Sequence, residues 1–112
     1  MSRKYGDAMP TKERVMALLR EKYPYLVAEY GVKRVGVFGS YAKGLPDETS
    51  DVDIIVEFEH PIGFKFIELV EYLEHLLGKK VDVLTPAGLQ GIRVAHVAQD
   101  IAESVVYVQT NG

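Results

Sequence analysis

Apolar positions recur along this chain with two different spacings. From Thr11 onward, Val15, Leu18 and Leu19 fall at helical intervals, which predicts a helix through Arg20 capped by Thr11. Pro24 interrupts that spacing, because proline lacks the amide hydrogen a helix interior uses, and predicts a second short turn ending at Gly31. The spacing then changes to two. Val32-Lys33-Arg34-Val35-Gly36-Val37-Phe38 reads as a strand that stops at Gly39-Ser40. Residues Tyr41 to Ser50 hold Gly44 and Pro46 and read as a short turn and loop. Asp51 to Phe58 reads as a second strand, closed by Pro61 and Gly63. Phe64 to Leu77 predicts a helix with Phe66, Ile67, Val70, Leu73, Leu76 and Leu77 on one stripe and Gly78 as its stop. Val81 to Leu84 is a short third strand. Thr85-Pro86 reads as a cap with proline at the first helical position, followed by helix over Ala87 to Ile101, against which Gly88 and Gly91 weigh. Val105 to Val108 closes the chain as an edge strand. The order α, β, β, α, β, α, β predicts an α+β class: one small mixed sheet with helices packed mainly on one face. A single domain over 1–112 is expected, with 1–10 polar and flexible.

Composition narrows the chemistry. The 13 basic and 16 acidic residues give a net charge of −3, whereas a nucleic-acid footprint is usually basic, so direct nucleic-acid binding is not expected. Cysteine is absent, which excludes disulfides, zinc–thiolate sites and a cysteine nucleophile. No apolar run approaches the roughly 20 residues a membrane span needs. The opening MSRKYGDAMPTKER lacks the apolar middle of a signal peptide, so a cytoplasmic location is expected. His60, His75 and His96 are scattered without metal-ligand spacing.

Three features at strand ends carry chemistry. Asp51 and Asp53 are two residues apart in a strand, so their carboxylates project from the same face. Left bare, they would repel. A magnesium ion relieves that conflict, because it prefers oxygen ligands and is commonly held by one or two carboxylates plus substrate phosphates. The apolar Val52 and Ile54-Ile55-Val56 mark the strand as largely buried, where two aspartates need a compensating partner. Gly39-Ser40 ends the preceding strand, with ten residues between Ser40 and Asp51. There a glycine lets backbone approach a ligand, and amides and the Ser40 hydroxyl can meet phosphate oxygens, while Lys43 can neutralise their charge. Asp82 faces opposite to Val81 and Val83 in the third strand. If that strand pairs beside the second, three carboxylates converge, and Asp82 either completes a second metal site or takes a proton from an attacking hydroxyl. Otherwise it is a solvated residue on an edge.

The stretch Gly36-Val37-Phe38-Gly39-Ser40-Tyr41-Ala42-Lys43-Gly44, then Ser50-Asp51-Val52-Asp53-Ile54-Ile55-Val56, resembles the signature of the minimal nucleotidyltransferase (MNT) family, within the DNA polymerase beta superfamily. Lys79-Lys80-Val81-Asp82-Val83-Leu84-Thr85-Pro86 is similar to the segment carrying that family's third carboxylate. The likeness runs from the first helix to the last strand. Many relatives carry arginine where this chain has Lys43, and lysine keeps the charge but loses a bidentate phosphate contact.

The resemblance implies a polymerase-beta-like nucleotidyltransferase fold and a magnesium-dependent transfer of AMP from ATP. Asp51, Asp53 and Asp82 would be catalytic and hold two magnesium ions, with Gly39, Ser40 and Lys43 on the nucleotide. It further implies an antitoxin role beside a helical HEPN-family toxin, in a hetero-oligomer, with a tyrosine of that toxin as acceptor. Phe64, Phe66 and the edge strand ending at Tyr107 could supply apolar surface for such a partner. Two other functions compete. One is neutralisation of the toxin by binding alone, and the other is transfer to a small molecule or an RNA.

Overall fold

The computed structural model describes residues 10–44, 50–90 and 95–108. Residues 45–49 of the predicted loop, 91–94 of the predicted last helix and the amino-terminal residues 1–9 lie outside the described residues. Thr11 caps the first helix as expected, its side-chain oxygen accepting the Arg14 amide at 3.0 Å. Helix α1 then runs unbroken over Lys12–Tyr30 and ends at Gly31, so the break expected at Pro24 does not occur. The reason is tertiary. Val15 and Leu19 before the proline and Leu26 and Tyr30 after it are all buried in one core. Burying each aliphatic side chain contributes about 1.5–3 kcal/mol, and several together outweigh the roughly 3 kcal/mol a mid-helix proline costs. Tyr25 stacks on Tyr72 at 4.9 Å, and the Tyr23 hydroxyl donates to the Lys33 carbonyl at 2.6 Å, which fixes the second half of the helix.

Strands β1 (Val32–Phe38), β2 (Val52–Phe58), β3 (Val81–Leu84) and β4 (Val106–Tyr107) form one sheet in the order β3-β2-β1-β4. The β1–β2 and β1–β4 pairs are antiparallel and β2–β3 is parallel. The parallel pair needs a crossover, supplied by α3 (Lys65–Leu77). The mixed sheet and its helices agree with the expected α+β class.

Register sorts the side chains. Val35, Val37, Val52, Ile54, Val56 and Val81 face α1 and α3 and make the core. The period of two then sends Phe38, Asp53, Ile55, Glu57, Asp82 and Leu84 to the opposite face. On α3 the buried line is Leu69, Leu73 and Leu77. The predicted stripe is therefore off-centre: it contained Ile67, which is 59% exposed, and omitted Leu69, which is fully buried. Apolar residues nearly encircle this helix, so the pattern offered two centres and the sheet selects one.

The turn predicted after Ser40 is a four-residue helical turn, α2 (Gly39–Ala42), which begins at Gly39 and buries Tyr41 and Ala42. Beyond β3, Thr85 caps α4 (Pro86–Gln90) by accepting the Gly88 amide at 3.0 Å, and α5 (Ala95–Ser104) follows. The edge strand forms as expected, where Gly36 leaves room for it: a Cβ there would lie 2.9 Å from the Tyr107 ring. Arg34 covers that ring at 4.2 Å and pairs with Glu57 at 3.0 Å. Among the described residues, no helix is long and apolar enough to cross a membrane.

Candidate active site

The parallel pairing of β2 and β3 settles where Asp82 lies: it is the register partner of Asp53. Neighbouring strands run about 4.7–4.9 Å apart, so the two residues stand side by side on the face away from the core. Asp51 precedes Asp53 by two residues, just before β2 begins at Val52. Its side chain and that of Asp82 are exposed, while Asp53 is half-buried. On its other side Asp53 pairs with Phe38, the last residue of β1. Gly39 and Ser40 follow at once in α2. The chain thus brings Gly39, Ser40, Asp51, Asp53 and Asp82 to one end of the sheet. Lys43 is exposed in the turn after α2, its amide donating to the Gly39 carbonyl at 3.1 Å.

Charge at this end is strained. Burial pushes the Asp53 carboxyl above its ordinary value, and Asp82 and then Asp51 push it further the same way. Among the described residues, no three Asp, Glu, His or Cys side chains already close around one point. Magnesium needs fewer: one or two carboxylates, with phosphate and water completing its octahedron. Hard oxygen donors that repel one another fit such an ion.

Sequence reasoning missed one contact in this cluster. Gly39 has φ +71°, and a Cβ there would collide with the Asp53 carboxylate. Only the register of β1 against β2 reveals it. Lys79 lies beside the turn that follows β1, its ammonium 6.0 Å from the ring of Tyr41. The expected apolar surface divides: Phe64 is 90% exposed, whereas Phe66 packs edge-on against Phe58 at 6.4 Å and Tyr107 lies under Arg34.

The nucleotidyltransferase domain family matches this chain over residues 18–108, a span holding the turn, the acidic residues and all four strands. The chain belongs to that family. Protein adenylyltransferase MntA of Thermococcus cleftensis is 44% identical to this nucleotidyltransferase over 102 residues, covering 90% of this chain and 99% of the relative. A minimal nucleotidyltransferase of known structure is 32% identical with a TM-score of 0.66, covering 86% of this chain and 94% of the other. A complex of a tri-AMPylated Shewanella oneidensis HEPN toxin with an MNT antitoxin shares the fold, with a TM-score of 0.55 at 18% identity over 86% of this chain and 73% of that one. Family membership and enzyme class are as the sequence implied.

Proposed function

We propose that this nucleotidyltransferase transfers AMP from ATP to a tyrosine hydroxyl of a HEPN-type partner toxin and so acts as its antitoxin. The observation that carries the reading is the in-register pairing of Asp53 with Asp82, with Asp51 near enough to add like charge to Asp53 and the Gly39–Ser40 turn following the strand residue that pairs with Asp53. The 44% identity to a protein adenylyltransferase supports the transferred group and the protein acceptor. The likeness in fold to a toxin-bound MNT antitoxin supports the partner.

In this reading Asp51 and Asp53 hold magnesium beside the triphosphate, and Asp82 either joins a second ion or receives the proton of the acceptor. Bound there, magnesium neutralises phosphate charge and polarises the α-phosphate. Backbone amides at Gly39 and Ser40 and the Ser40 hydroxyl donate to phosphate oxygens, and Lys43 adds positive charge. The acceptor O–H bond breaks, a new bond forms from that oxygen to the α-phosphorus, and the bond to the bridging oxygen breaks as pyrophosphate leaves. The protein's contribution is position and fixed charge.

The test is direct. The purified chain is incubated with its partner, labelled ATP and magnesium, and the partner is weighed by mass spectrometry. Mass gain in steps of one AMP, lost in Asp51→Ala and Asp53→Ala, is the expected result. Neutralisation that survives both substitutions would instead identify capture without transfer.

A further inference from the structure

Among the described glycines, five adopt a left-handed φ. At Gly44, Gly63 and Gly78 a side chain would project into open space, so glycine there serves only the turn. Gly31 has the His60 ring in that position at 3.1 Å. Gly39 differs in what fills the space. A Cβ on Gly39 would overlap Oδ2 of Asp53 and stand 3.2 Å from its carboxyl carbon. The volume a side chain would occupy is already taken by the carboxylate.

The register explains how this arises. Asp53 lies opposite Phe38 and points away from the core, and β1 leaves the sheet at the next residue. The turn therefore begins against the carboxylate. Asp53 is half-buried there, with its carboxylate packed close against the Gly39 backbone.

We propose that Gly39 is a positioning residue for Asp53: its missing side chain reserves the space in which the carboxylate lies, so the turn that meets phosphate also fixes the direction of the central cation-binding oxygen. This rests on the reading that Asp53 holds a divalent cation. Residues that orient metal ligands typically change metal affinity by about 10–100-fold when altered.

Manganese binding by the whole chain, without nucleotide, tests it by electron paramagnetic resonance. Gly39→Ala should weaken manganese binding at least about tenfold in the native background and change nothing further in an Asp53→Ala background, where the added methyl finds room. Alanine also strains the left-handed backbone. Gly39→Asn, which tolerates that φ far better, should therefore fold and show the same loss. Native affinity in a folded Gly39→Asn chain, or equal losses with and without Asp53, would overturn the proposal alone. Manganese affinity unchanged by Asp53→Ala would overturn it together with the cation reading beneath it.

Discussion

At Asp53 the proposed function carries a cost in folding. Its folded carboxyl titrates above the ordinary value of 3.8, first because it is partly withdrawn from water and then because Asp82 and Asp51 add like charge. The neutral form is the one the fold prefers. Its contribution is complete below the ordinary value and is lost as pH rises through the raised one. At pH 7 with chelator present, the carboxyl thus contributes less to stability than at low pH. Asp53→Asn should melt higher than the native chain there, with the gap closing as pH falls toward 3.8. Magnesium should reverse the order, raising the melting temperature of the native chain and not of the variant. A variant less stable than native at pH 7 in chelator would contradict this account. Asp53 was legible because the apolar run after it marks a strand, whereas Asp51, expected in that strand, lies just before it and adds like charge to Asp53 from there. The Gly39 contact was not, because it joins residues of different strands and depends on where β1 ends against β2.

Helix α3 shows how far pattern alone reaches. Its existence, its stop at Gly78 and its apolar character follow from residues 64–78, but its rotation does not. Phe66, Ile67, Leu69, Val70, Leu73, Leu76 and Leu77 surround most of the helix, and any choice of stripe leaves apolar residues outside. The sheet breaks the tie in favour of Leu69, Leu73 and Leu77. The consequence is measurable by urea denaturation. Leu69→Ala should cost about 2–5 kcal/mol, because it opens a cavity in the core. Ile67→Ala, on a side chain 59% exposed, should stay within about 0.5 kcal/mol. Equal costs would mean the helix is rotated toward the stripe the sequence suggested. The same reasoning covers α1. Proline's local penalty was readable at Pro24, whereas the core contacts of Leu26 and Tyr30 that override it come from elements distant in sequence.

For the molecule as a whole, the decisive feature is that the site draws on three strands. Gly39 and Ser40 follow β1, Asp51 precedes β2, Asp53 is the second residue of β2, and Asp82 lies in β3. The strands themselves were legible from their apolar runs. Their order was not, since nothing local states that β3 pairs with β2 and runs parallel to it. A ligand spanning the turn and the carboxylates ties these strands together and should stabilise the entire domain. At about a hundredfold over its dissociation constant, a ligand bound only by the folded state contributes about 2.7 kcal/mol. For a domain of about this size each kcal/mol moves the melting temperature by about 4–8 °C, so saturating magnesium–ATP should raise it by about 10–20 °C. ATP with chelator should do far less, because its phosphates then meet Asp51, Asp53 and Asp82 with no cation between them, on a chain whose net charge is already −3. Equal shifts with magnesium and with chelator would show that the carboxylates play no part in holding the nucleotide. Hydrogen exchange under the same conditions locates the effect: protection should rise at the end of β1 and the starts of β2 and β3, whereas protection confined to the opposite end of the sheet would place the nucleotide elsewhere.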